Sequence, residues 1–350
     1  MTHRCAPHCI VPPGLLLRVA ANGEREHREA ALRTLGLDST FRVARVERVT
    51  RHALAPATPR LLSGPVAMPH RTIYDQQESD ATQLGWLVRS EGQPPADDPA
   101  VNEAYEGFGD TYKLFWEVFK RNSIDDQGMP LVGLVHYGHA YDNAFWDGMS
   151  HMFFGDGDGV LFTRLTKAID VIGHELTHGV TQYTANLVYQ NQSGALNESI
   201  SDVFGVLVEQ YAKGQTADQA SWLIGADVVG PALSPALRSL KAPGDANPHD
   251  DQPADMDHFV VTGEDGGGVH TNSGIPNHAF YVTATTIGGN AWEAPGIMWY
   301  DAIRDPKVHP NSDFLTFAKA TLRSAQQRFG AQSAEADAVR AGWEAVKLEL

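Results

Sequence analysis

The sequence predicts an α+β protein in which a β-rich part is followed by a mainly helical part, with a cleft between them. Three observations lead there. Residues 71 to about 168 alternate strand-like stretches such as "PLVGLVHYG" with Gly- and Asp-rich turns such as "FGDGDGVLF". Past residue 168 apolar positions recur at helical spacing, over 168–184, 195–213, "DFLTFAKATLRSAQQRFG" and "AEADAVRAGWEAVKLEL". The 350 residues, 42% of them hydrophobic, can bury more than one domain-sized core. Clefts that take ligands form where such units meet.

Three regions follow in order. Residues 1–67 read as a leader and linker: they hold ten arginines, no lysine and five acids, a net of +5. The remaining 283 residues hold 17 bases and 38 acids, a net of −21. A basic leader on an acidic body suggests a segment that docks on its own chain; the plainer alternative is a solvated helix ("EREHREAALRTLG") and a flexible tail. The proline-rich stretch 52–70 reads as an exposed linker, where proteases cut. Residues 68–168 form the β-rich domain, with one clear helix in "VNEAYEGFGDTYKLFWEVFKRNS". Residues 169–350 form the helical domain.

The overall charge of −16 argues against nucleic acid and anionic membranes as partners. No apolar run approaches the roughly 20 residues of a membrane span, and no secretory signal is visible at the N-terminus. Both cysteines, Cys5 and Cys9, lie in the leader, so the fold of the body does not depend on internal disulfides.

The chemistry centres on "VIGHELTHGV", residues 171–180. On a helix His174 and His178 are four apart, so both rings leave one face and can reach one ion. Glu175 stands about 100° round from His174 and suits a base beside that ion. The bland alternative is an amphipathic helix with histidines at a polar seam. A third ligand tips the balance: twenty positions after His178, "GALNESISD" offers Glu198, with Asp202 one helical turn on. Two histidines and one glutamate leave a fourth tetrahedral position open, the pattern of catalytic zinc. Asp202 suits an acceptor for the far N–H of a histidine ligand. In "EDGGGVH", His270 follows Asp265 by five residues and can donate to an oxyanion. "YDNAFWDG" offers Asn143 on a strand edge for an extended peptide, or else an ordinary turn.

Taken together, "NAFW", "DVIGHELTHGVTQYTANLVYQNQSGALNESISDVFG", "LRSL" and "GGVHTNSGIPNHAFY" resemble the thermolysin family of zinc metallopeptidases, over residues 71 to 350. "RTIYD", "VRSEGQP" and the leader's "IVPPGLL" resemble its protealysin-like subgroup. The resemblance implies a thermolysin-like two-domain fold and a neutral metalloendopeptidase acting on proteins or peptides. It implies one zinc on His174, His178 and Glu198, with Glu175 as general base. Tyr189 and His270 would stabilise the oxyanion, Asp265 orienting His270; Asp202 and Asn197 would steady the histidines. Asn143, Ala144 and Arg238 would hold the substrate backbone. Phe162, Leu165, Val171, Ile224, Val228 and Leu237 would line an apolar pocket, so the cut is expected on the amino side of Leu, Ile, Phe or Val.

The pattern is broken at the family's calcium cluster. Asp170, Glu209 and Asp227 remain, but Ser221, Leu223 and Ala226 stand where acids are expected, so a paired calcium site is expected lost, with one weaker site left open. The leader is expected to act as an inhibitory propeptide. A thiolate of Cys5 or Cys9 on the zinc is one reading of the cysteines, a free thiol or short local disulfide the other. Family habit implies secretion, with cytoplasmic retention as the alternative. Rival functions are an aminopeptidase with the same zinc motif and a non-catalytic zinc-binding protein.

Overall fold

The computed structural model describes residues 8–53 and 68–350, with side chains described for 9–39 and from 68 onward. The stretch 54–67, most of the expected linker, lies outside the described residues, as does Cys5.

The chain begins with β1 (His8–Cys9), α1 (Pro13–Asn22) and α2 (Arg25–Ala53). It continues through β2 (Arg71–Asp75), β3 (Trp86–Ser90), α3 (Pro99–Glu117), β4 (Leu131–Val135), β5 (Ala144–Trp146) and β6 (His151–Phe154). The second part holds α4 (Ile169–Gln182), α5 (Asn191–Lys213), the short ribbon of β7 (Leu223–Ile224) and β8 (Arg238–Ser239), α6 (Asp265–Asn272), α7 (Gly274–Ile287), α8 (Ala294–Ala302), α9 (Phe314–Phe329) and α10 (Ala334–Ala345). This is the thermolysin-like arrangement, a sheet-bearing domain followed by a helical one.

The six strands β1 to β6 form one sheet in the order β1-β5-β6-β4-β2-β3. The leader's β1 is an edge strand of the body's own sheet, antiparallel to β5 with His8 opposite Trp146 and Cys9 opposite Phe145. Helix α3 starts sharply because Asp98 accepts from the Ala100 N–H at 2.8 Å and Pro99 fits the first turn. Its aromatic face and the residue just past its end pack across to the helical domain: Phe115 stacks on Phe204 of α5 at 5.4 Å, and Phe119 on Tyr300 of α8 at 4.8 Å.

Helices α4 and α5 approach backbone to backbone. A Cβ built on Gly205 would come 2.5 Å from the Asp170 carbonyl oxygen, and one on Gly173 3.1 Å from the Gly205 Cα. Side chains there would wedge the helices apart. The close crossing is what carries Glu198 and Asp202 to the ring side of His174 and His178.

The leader docks, but charge is not its main attachment. Arg18 pairs with Asp251 at 2.6 Å and Arg33 with Asp158 at 3.4 Å, all but Asp158 substantially exposed. Ion pairs of that kind contribute about 0–1 kcal/mol. Ile10, Val11, Leu15, Leu16, Val19, Ala30 and Ala31 are instead buried in the same hydrophobic cluster as the body.

Candidate active site

The imidazoles of α4 and the carboxylate of α5 meet in a fully buried position. His174 Nε2 lies 3.0 Å from His178 Nε2 and 3.6 Å from Glu198 Oε2; His178 Nε2 lies 3.5 Å from Glu198 Oε1. Among the described residues, theirs is the one group of three His, Cys, Asp or Glu whose ligand atoms lie within 4.8 Å of one another.

The neighbours fix which ring nitrogen faces inward. His174 Nδ1–H donates to Asp202 Oδ1 at 2.8 Å and His178 Nδ1–H to Asn197 Oδ1 at 2.9 Å, with Ser201 Oγ 3.0 Å from the latter nitrogen. Both Nε2 atoms therefore present lone pairs to one space, beside a buried Glu198 Oε2 that no donor reaches. Such an arrangement is repulsive without a cation, and two nitrogens with one carboxylate oxygen suit zinc. Asp202 is itself held by Arg238 at 2.7 and 3.0 Å and by Asn277 Nδ2–H at 2.9 Å. Burial opposes its charge, but the buried Arg238 guanidinium wins and holds the carboxyl well below the usual range.

Glu175 is also buried. Its Oε2 accepts from the Trp146 N–H of β5 at 2.9 Å, and its Oε1 has no hydrogen-bond partner. Burial first, then the charge of Glu198, pushes its carboxyl well above the usual value. Tyr189 OH donates to Glu198 Oε1 and lies 3.0 Å from His270 Nε2. His270 Nδ1–H donates to Asp265 Oδ1 at 2.8 Å. Burial opposes the imidazolium, yet Asp265 and then Glu198 outweigh it and raise the ring to about 9. The turn that presents this ring needs its glycines: Gly266, Gly267 and Gly268 sit at φ 61°, 92° and 75°, where side chains are strained.

The cleft wall is β5, and the leader lies along it. The Ile10 N–H donates to the Ala144 carbonyl at 3.2 Å, the Val11 N–H to Asn143 Oδ1 at 3.0 Å, and Arg238 Nη1–H to the Ile10 carbonyl at 2.8 Å. His270 Nε2–H donates to the Cys9 carbonyl at 2.9 Å. Phe162, Leu165, Val171, Ile224, Val228 and Leu237 are all buried in the hydrophobic cluster that includes Ile10. Beside α1, a cavity of about 190 Å³ separates Pro13 and Arg18 from Leu237, Gln252 and Thr271.

Two adjoining family models match the chain, the thermolysin metallopeptidase catalytic domain over residues 66–182 and its alpha-helical domain over 185–348. The chain belongs to the thermolysin family of metallopeptidases. An extracellular metalloprotease of Pectobacterium carotovorum subsp. carotovorum is 46% identical over 351 residues, covering 98% of this chain and 97% of the relative. Protease PrtS of a Photorhabdus strain is 43% identical over 331 residues, covering 91% and 87%. The solved precursor of protealysin, a metalloproteinase from Serratia proteamaculans, is 45% identical with a TM-score of 0.85, covering 97% of this chain and 99% of that one. This metallopeptidase is therefore a metalloendopeptidase, of a family that depends on zinc.

The cysteine-on-metal reading fails for Cys9. Its side chain packs with Leu134, Tyr137, Tyr141, Phe145 and Phe153, and it is the Cys9 carbonyl that faces the site. The three acids expected at a calcium site are not gathered as the zinc candidates are. Asp170 accepts from the Gly225 N–H at 2.6 Å, and Glu209 holds Lys213 at 2.6 Å. Sequence reasoning missed Ser201, Asn277 and the Trp146 N–H. Ser201 was within reach, since it lies four after Asn197 on one helical face.

Proposed function

We propose that this metallopeptidase binds one zinc on His174, His178 and Glu198 and cuts internal peptide bonds on the amino side of large apolar residues. The observation that carries the reading is the convergence of two imidazole lone pairs and an unpartnered carboxylate oxygen in one buried space. Bound there, zinc acidifies a water and polarises the scissile carbonyl. Glu175, a residue away from one ligand and free at Oε1, takes the water's proton and delivers it to the departing amine. Tyr189 and His270 donate to the carbonyl oxygen as charge grows on it. Asp265 keeps His270 aimed, and Asp202 and Asn197 fix the ligand tautomers. The edge of β5, through Asn143 and Ala144, and Arg238 hold the peptide extended. The six apolar residues around the primed side favour Leu, Ile, Phe or Val.

The leader serves as an inhibitory propeptide in this reading. It uses the hydrogen bonds at Asn143, Ala144, Arg238 and His270 that a substrate needs, so it excludes one while it is docked. Activation then follows a cut within 54–67. A paired calcium site is not part of this reading: Lys213 supplies positive charge to Glu209. Export is favoured by the extracellular relative, and blotting culture fractions for precursor and cut forms tests it.

Glu175→Gln should retain zinc and lose about 10²–10⁴ in casein hydrolysis, measured after limited proteolysis to remove the leader. A peptide-library digest by the activated wild type should show apolar residues on the amine side of each cut. Full activity in the variant would contradict the role of Glu175, and charged residues at that position would contradict the apolar pocket.

A further inference from the structure

The leader crosses the site with a definite polarity and register. Running antiparallel to β5, it sets the Cys9 carbonyl on His270 Nε2–H, the Ile10 N–H on the Ala144 carbonyl, the Ile10 carbonyl on Arg238 and the Val11 N–H on Asn143. Burial and then Glu198 raise the Glu175 carboxyl, and the Trp146 and Ile10 amides favour its charge against them. One peptide bond, between Cys9 and Ile10, thus has its carbonyl oxygen at the group assigned to oxyanion stabilisation. Its nitrogen is held by the Ala144 carbonyl on the strand that also donates to Glu175, the group assigned to protonate the leaving amine. The residue on the amine side is Ile10, a large apolar residue that is fully buried. A plug needs only to cover the cleft; it does not need to place one of its bonds between His270, Ala144, Arg238 and Asn143 together.

We propose that Cys9–Ile10 is itself a scissile bond of this enzyme, cut once by the chain's own site, and that the shortened leader stays docked. The inference rests on the peptidase reading above. A water oxygen bonds to the Cys9 carbonyl carbon while Glu175 takes a proton from it, the Cys9–Ile10 C–N bond breaks as Glu175 hands that proton to Ile10 nitrogen, and the water's second proton passes from the new carboxyl group to the same amine. The products are a Cys9 carboxylate and an Ile10 ammonium, with water the only co-reactant. Retention follows from where the contacts lie. The cut releases residues 1–9 and with them β1. The hydrogen bonds of Ile10 and Val11, the buried Leu15, Leu16, Val19, Ala30 and Ala31, and the Arg18–Asp251 pair all belong to the part that remains. The leader then ends in the cleft as a bound product on the primed side, still excluding other substrates.

The test compares full-length wild type, Glu175→Gln, Ile10→Leu and Ile10→Asp chains, each incubated with one equivalent of zinc and followed by intact mass and N-terminal sequencing. Wild type and Ile10→Leu should acquire a species beginning at residue 10 whose leader still co-elutes with the body. Glu175→Gln and Ile10→Asp should keep residues 1–9. Hydrogen exchange on the chelator-treated chains gives a readout free of turnover: the amides of residues 10 and 11 should be protected in wild type, Glu175→Gln and Ile10→Leu. If those amides are protected and the trypsin-activated preparation digests casein, yet no N-terminus at Ile10 appears, this proposal alone is overturned. If the activated preparation digests no casein, the peptidase reading falls and this proposal with it.

Discussion

Two groups of ionisable side chains gather on helix α4 one turn apart, and their difference explains which one can recruit a metal. At its start, Asp170 lies near Glu209 and Asp227, and burial and those two charges push its carboxyl up. That group is partly compensated by donors of its own. Lys213 reaches Glu209, and a backbone N–H from Gly225 serves Asp170. One turn on, His174, His178 and Glu198 cannot do so. Their outer atoms are satisfied by Asp202, Asn197 and Tyr189, so every inner lone pair is left facing the others. The count of acids is a poor guide to a cation site. What matters is whether the surrounding donors are spent on the outside or the inside of the cluster.

Removing an outer partner should therefore damage the second group most. Asp202→Asn loses the charge that balances a buried Arg238, a change that costs about 3–5 kcal/mol for a broken buried pair. It also loosens His174, lowering zinc affinity by about 10–100-fold. Thermal unfolding and a competitive zinc titration read the two effects separately. If Asp202→Asn matches wild type in both, the outer shell does not organise the site.

The first group should respond more mildly and in the opposite sense. Lys213→Met removes the built-in cation, so its melting temperature should rise on adding calcium while that of wild type stays unchanged. Lys213 is half exposed, so the loss without calcium should be small. A wild-type chain that is itself stabilised by calcium would show that Lys213 does not take the cation's place.

The smallest effect belongs to a charge cluster away from both. His136 bridges Asp156 at 2.7 Å and Asp98, the cap of α3, at 2.6 Å. The bond to Asp156 leads, burial opposes it, and the bond to Asp98 adds, raising the ring to about 9. A raised imidazole contributes stability that is fully present below its unfolded value of about 6.5 and is lost as pH climbs through 9. Wild type should lose melting temperature between pH 7 and 10 more steeply than His136→Gln; parallel curves would show that His136 contributes nothing to the pH dependence.

Much of the inner site could be read from the chain because its signals are local. His174 and His178 share a helical face, as do Glu198 and Asp202, and the helices that carry them follow the apolar period. The start of α5 was harder. The sequence suggests 195, but the helix begins at Asn191, with no side-chain cap at Gln190 to announce it and no apolar period in "NQSG". The leader was harder still. Its arginines suggest electrostatic docking, whereas its hold on the body comes from buried Ile10, Val11, Leu15 and Leu16 and from backbone bonds to β5. A two-residue strand has no alternation to detect, and backbone pairing leaves no mark on side-chain identity. Asp38 is buried on Tyr141 at 2.5 Å and near Asn143 Nδ2 at 3.3 Å, and nothing in the sequence around it singles it out.

The central claim is that the inward lone pairs of His174, His178 and Glu198 hold one metal ion. Elemental analysis of the purified full-length chain, beside His178→Ala, tests it most directly. One zinc per wild-type chain is expected, and none retained by the variant after dialysis. A wild-type chain purified and reconstituted without zinc uptake, or a His178→Ala chain that holds as much, would contradict it.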